Sequence, residues 1–214
     1  MTGFIIKLIA VLSMAVDHVG FAFELPTFTR VIGRLAFPLF AYLVAEGCTH
    51  TRNMNKYLRN LGIFAIISHA PFTWVLGLPL FPLYHTNIFF TLFLGVACCA
   101  AYKKIATLSA NKILPLLPAI PLIYLGDVLR VDFGMVGVAV VFALFMAKEP
   151  IAKLAIILAA MYVLYWPHAW FFFGSVAALP ILYFYNGKRG YEMKMAFYWF
   201  YPAHFALLGV MAWL

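Results

Sequence analysis

Long apolar runs alternate with short polar breaks along the whole chain, and most of the breaks are basic. A membrane-crossing helix needs about 20 mainly apolar residues. Nine runs meet or approach that length, at approximately 3–24, 29–48, 57–77, 86–101, 113–126, 134–147, 152–166, 170–186 and 195–214. The pattern predicts an all-α, polytopic transmembrane helical bundle of about nine spans, forming one domain over residues 1–214. The fifth run carries Pro115, Pro118 and Pro121 at three-residue spacing, which predicts a kinked or partly unwound span.

Composition narrows the class. Charged residues make up 10% of the chain, against about 25% in soluble domains, which leaves too little polar surface for a separate soluble unit. No cleavable signal peptide is expected, because the first run holds an Asp-His pair and lacks an A-x-A-like exit. Cys48, Cys98 and Cys99 all fall in apolar runs, so neither a disulfide framework nor a C-x-x-C motif is present.

The net charge of +8 reads as topology rather than nucleic-acid binding. Twelve of the fifteen Lys and Arg residues fall near the N-terminus or in every second loop; Arg30, Arg34 and Arg130 are the exceptions. Basic residues are retained in the cytoplasm. This alternation predicts a cytoplasmic N-terminus and an external C-terminus. Trp74, Trp166, Trp170 and Trp213 fall near the predicted outer boundaries, where amphipathic rings favour the headgroup level.

Asp17 and His18 are adjacent inside the first run, about 21 Å along the helix from its start at 1.5 Å per residue. An ionisable group at that depth costs roughly 2.5–3.5 kcal/mol on insertion scales and marks a functional site by default. Arg30 and Arg34 share a face of span two, His69 precedes Pro71, and Asn87 and Thr91 open span four. Asp127, Arg130 and Asp132 cluster in an outer loop, His85 and His168 fall in other outer loops, and His204 lies one turn from Tyr201 beside Pro202. Span one, Arg34, His69, Asn87 and the Asp127 loop are expected to face one outer cavity, since each group needs a partner or water. Structural readings stand beside this one. Asp17 pins spans one and two through Arg34, Arg30 snorkels, His69 bonds a carbonyl freed by Pro71, Asn87 caps its helix, and His204 is a satisfied packing residue.

No phosphate-binding G-x-x-x-x-G-K-[ST] loop, H-E-x-x-H or G-x-S-x-G occurs, and the scattered histidines show no metal-ligand spacing. No internal repeat argues for an inverted-repeat transporter.

The segments KLIAVLSMAVDHVG, RVIGRLAFPLFAYLVAEGCTHTRNMNKYLRNLGIFAIISHAPF, NIFFTLFLG, YNGKRG and FYWFYPAHF, in this order, resemble the TraX family. That resemblance covers most of the chain from Lys7 onward. It implies a polytopic membrane protein linked to N-terminal acetylation of conjugative pilin, with a distant likeness to membrane acyltransferases that use cytosolic acetyl-CoA.

The implied chemistry is acetyl transfer from acetyl-CoA to an acceptor amine or hydroxyl: pilin, another peptide, a glycan or a lipid-linked sugar. His18 is then the general base and Asp17 its orienter. Arg34 or Asn87 donates to the oxyanion. Arg52, Lys56, Lys188 and Arg189 bind the CoA phosphates at the inner face, and His69, Tyr201 and His204 contact substrate. A covalent acetyl-His18 route is an alternative. So are a proton-coupled transporter or channel using the Asp17–His18 pair as a relay, and a non-enzymatic assembly factor of a conjugation or secretion apparatus.

Overall fold

The computed structural model describes residues 1–81 and 85–213, without the side chains of Lys194 and Trp213. Among these residues the chain is all-helical, apart from one isolated bridge between Thr86 and Val131. Eleven α-helices make up nine rods. They are α1 (Gly3–Ala22), α2 (Phe28–Gly33), α3 (Ala36–His50), α4 (Met54–Val75), α5 (Ile88–Ala106), α6 (Ala119–Val128), α7 (Gly134–Met146), α8 (Pro150–Tyr165), α9 (Ala169–Val176), α10 (Ala178–Tyr183) and α11 (Lys194–Trp213). Four stretches are long and apolar enough to cross a membrane: Gly3–Ala22, Phe28–His50, Ile88–Ala106 and Met195–Ala212. Four shorter apolar stretches accompany them, and the ninth rod, α4, has 22 residues. The expected boundaries of the rods hold to within a few residues. Of the expected outer tryptophans, the Trp213 side chain lies outside the described set.

Two rods are broken by proline. A proline lacks the N–H for the carbonyl four residues back, and its ring crowds that carbonyl. Pro38 falls four residues after Arg34, where α2 gives way to α3, and Pro180 falls four after Val176, where α9 gives way to α10. The proline-rich fifth rod opens on a 3₁₀ turn, Leu114–Leu116, before α6. By contrast, α4 and α11 run through Pro71 and Pro202.

Pairwise contacts set the directions. The α1 helix packs antiparallel to the second rod, with Gly20 against Thr29 and Gly3 against Leu43. It runs the same way as α11, through Phe4 on Phe197 and His18 on His204. The α4 and α11 helices are also parallel, with Phe64 on Tyr198 and Gly209 on Trp74. The N-termini of α1, α4 and α11 therefore meet at one end. That end also holds the loops with Arg52, Lys148, Lys188 and Arg189. It is pinned by Lys103 donating to the Cys48 carbonyl at 2.6 Å and by a Lys153–Glu46 ion pair. The 184–190 loop closes over the start of α1, where the Gly3 and Phe4 N–H groups donate to the Lys188 and Arg189 carbonyls at 2.8 and 2.9 Å. Cys48, Cys98 and Cys99 are free and buried.

Candidate functional site

At the opposite end, α1 and α2 come close enough that a Cβ on Gly33 would lie 2.1 Å from Asp17 Cβ. This glycine contact lets Asp17 meet both arginines of α2. Its carboxylate accepts from Arg34 Nη2 at 2.8 and 3.1 Å and pairs with Arg30 Nε at 3.2 Å. Arg30 also donates to the Asp17 carbonyl at 3.2 Å. Arg34 Nε donates to the Arg30 carbonyl at 3.1 Å, at the break that Pro38 creates. Arg34 lies over Phe171 and Tyr165 at 5.2 and 5.9 Å.

The expectation that Asp17 orients His18 is therefore corrected. Successive helical residues point about 100° apart at 3.6 residues per turn. Asp17 turns toward α2 and His18 toward α11. Of the two readings for Asp17, the geometry favours the ion pair that pins spans one and two.

The imidazole finds a different partner. His18 Nδ1 lies 2.7 Å from His204 Nε2, and His204 Nδ1 lies 2.9 Å from the Phe200 carbonyl. A carbonyl only accepts, so His204 carries its proton on Nδ1 and presents a bare Nε2. His18 must then donate from Nδ1. That leaves His18 Nε2 as an unprotonated nitrogen with no hydrogen bond among the described residues. The ring is wedged by Phe205 at 4.4 Å and Tyr201 at 6.1 Å. His204 is thus the neighbour that sets the His18 tautomer.

His18 lines a cavity of about 150 Å³ together with Asp17, Arg30, Arg34, His85, Asp132, Tyr165 and Tyr201. Phe37, Phe72, Phe133 and Phe205 supply its apolar walls. A void of this order accommodates a group the size of benzene. Two loops close one side. Thr86 N donates to the Arg130 carbonyl at 3.0 Å and Asp132 N to the Thr86 carbonyl at 3.1 Å, and the Thr91 hydroxyl bonds the Asp132 carbonyl. His85 Nε2 is held 3.9 Å from Asp132 Oδ1. Burial pushes the Asp132 carboxyl up, while His85 and Arg34 pull it down.

The other expected site residues divide. Arg34 and Tyr201 line the cavity. Asn87 does not: it is fully buried, its Nδ2 donates to the Ala65 carbonyl at 2.9 Å and its Oδ1 accepts from Phe89 N at 3.1 Å. The oxygen caps α5 and the Nδ2 ties it to α4, so both ends of the amide are used and it is not an oxyanion donor. His69 is absent from the lining and bonds the Leu80 carbonyl at 3.3 Å. Asp127 caps α7, accepting from Met135 N at 2.7 Å. Arg52 and Lys56 stand at the start of α4, and Lys188 and Arg189 in the loop over α1, all at the end remote from this cavity; Arg189 is paired with Glu192.

Tyr165 lacked a sequence signal. Its hydroxyl is buried without a hydrogen bond among the described residues, and its ring lines the cavity. Among those residues no group of three His, Cys, Asp or Glu side chains is gathered as for a metal ion.

Fold and site together define a helical membrane protein with a charged chamber between its helices. The chain belongs to the TraX family: the TraX protein model matches residues 2–212. It is also 30% identical, over 97% of its length and 94% of the relative's, to a Dichelobacter nodosus protein named "Probable fimbrial assembly protein FimC, serogroup H1". No solved structure matches.

Proposed function

We propose that this protein transfers an acetyl group from acetyl-CoA to the N-terminal amine of a pilin-like peptide. The observation that carries the reading is the His18 Nε2 lone pair, fixed by the His204 bond, at the wall of a polar chamber. Membership of the TraX family and the fimbrial name of the relative support the acceptor class. The net reaction is R–NH3⁺ plus acetyl-S-CoA giving R–NH–acetyl, HS-CoA and one proton. The neutral amine attacks the thioester carbonyl. His18 Nε2 takes a proton from the attacking nitrogen and returns it to the departing thiolate. As the imidazolium forms, its Nδ1–H bond to His204 becomes charge-assisted and strengthens.

The oxyanion meets Arg30 and the Tyr165 hydroxyl, the donors with capacity left at the chamber wall. Asp17 keeps the two guanidiniums in place. A chamber of about 150 Å³ takes an acetyl group and an amine but not a nucleotide. The CoA nucleotide therefore stays outside, and Arg52, Lys56, Lys188 and Arg189 are the basic residues offered to its phosphates. The basic end faces the cytoplasm in this reading, and the chamber lies toward the outer leaflet.

The test is transfer of labelled acetyl from acetyl-CoA to a pilin N-terminal peptide by purified protein. Activity in the wild type and a loss of roughly 10²–10⁴-fold in His18→Ala is expected. A folded His18→Ala variant that keeps the wild-type rate would overturn the assignment. The relative's name also favours a second reading, an assembly factor without chemistry. On that reading His18→Ala supports fimbrial assembly normally in cells.

A further inference from the structure

We propose that His85 and Asp132 form a second acid–base pair of the same chamber. The pair removes the first proton from the acceptor, which enters as a primary ammonium rather than as a hydroxyl. The inference rests on the acetyl-transfer reading and deepens it by adding two residues that handle the acceptor's proton.

The chamber wall holds two carboxylates, and they differ. Asp17 is committed to Arg30 and Arg34. Asp132 has no ion pair with a guanidinium among the described residues; the His85 imidazole lies 3.9 Å from it, and the Arg34 and Arg30 charges act on it from farther away. The Thr86–Arg130 and Asp132–Thr86 backbone bonds zip the two loops together, so this juxtaposition is built by the backbone. The His85 side chain is 40% exposed and gives a proton a route to solvent. Phe72 lies 5.8 Å from His85 and 5.5 Å from Phe205, which lies 4.4 Å from His18. No hydrogen bond joins the two imidazoles among the described residues, and each is assigned a different proton.

The reaction needs two such groups. A peptide α-amine has a reference pKa of about 7.7–8.0 and arrives mostly as the ammonium. Its first proton must leave before the lone pair can attack, and this is the proton released overall. Asp132 attracts the ammonium, His85 takes that proton, and the carboxylate stabilises the resulting imidazolium until solvent accepts it. The second proton leaves the nitrogen as the C–N bond forms, and passes through His18 to the thiolate as the C–S bond breaks. A hydroxyl acceptor carries no such extra proton and would leave the pair idle.

The experiment compares hexa-alanine amide with a free N-terminus against the same peptide ending in an aminooxy group, whose nitrogen is already unprotonated at pH 7. For His85→Ala and for the milder Asp132→Asn, the loss of kcat/KM on the amine should exceed the loss on the aminooxy peptide by at least tenfold. His18→Ala should lose both alike. Equal losses on both probes, or none on either, in folded variants would overturn the proposal while the transferase reading stands. A wild type inactive on both probes would sink the transferase reading instead. Binding then decides the subsite: the wild type should prefer the free-amine peptide to its N-acetylated twin, and Asp132→Asn should lose that preference. No preference in the wild type would overturn it.

Discussion

Replacing His204 with Leu removes the acceptor of the His18 Nδ1–H at nearly constant volume. A neutral hydrogen bond contributes about 0.5–1.5 kcal/mol, and one from a charged donor about 1.5–3 kcal/mol. The difference, about 1–1.5 kcal/mol, is lost from the transition state beyond the ground state, and with tenfold per 1.36 kcal/mol it slows kcat roughly five- to twelvefold. Without His204 the two neutral tautomers of His18 also become comparable in energy, which about halves the fraction with Nε2 bare. The combined loss is roughly ten- to twenty-fivefold in kcat, with KM for acetyl-CoA unchanged. His204→Gln offers a carbonyl oxygen to the same N–H and should recover most of it. Steady-state acetyl transfer at saturating peptide reads all three proteins. A folded His204→Leu variant within twofold of wild-type kcat, alongside an inactive His18→Ala, would refute the tautomer argument. A loss confined to KM would assign His204 to substrate binding instead.

Asp17→Asn leaves two guanidiniums without their carboxylate and should destabilise the fold by about 3–5 kcal/mol; combining it with Arg34→Gln should recover part of that loss in detergent melts, whereas additive losses would contradict the pairing. Gly33→Ala places a Cβ against the backbone-proximal atoms of Asp17 and should cost about 1–3 kcal/mol by overpacking while lowering transfer activity; wild-type stability would show that the helices part freely. Asp132→Asn should melt at a higher temperature than the wild type near neutral pH. Burial raises this carboxyl in the folded state, so the wild type loses stability as pH rises from the unfolded-state value through the folded one. The gain should vanish in acid, where the wild-type carboxyl is also protonated; an advantage that persists there would assign it to another cause.

The lengths and spacing of the apolar runs determined the nine rods, because a helix that crosses hydrocarbon must satisfy its own backbone and carry about 20 apolar residues. The basic loops likewise gathered at one end without any need for tertiary information. Pro115, Pro118 and Pro121 announced the irregular fifth rod, and Pro38 carried a readable signal for the break at Arg34 that the apolar pattern concealed. Isolation of His18, Arg34 and Tyr201 as candidates was also within reach, since polar groups in apolar runs are costly.

What paired with what was decided only in three dimensions. Asp17 and His18 are neighbours in the chain, yet the helix turns one toward Arg34 and the other toward His204, 186 positions away. Asn87 stood open between catalysis and helix capping until the packed bundle committed both ends of its amide to backbone. His85 and Asp132 met through a loop bridge that no periodicity announces. The sequence determines which groups burial makes expensive; the crossing of helices determines which partner offsets the cost, and with it the nitrogen left free to react.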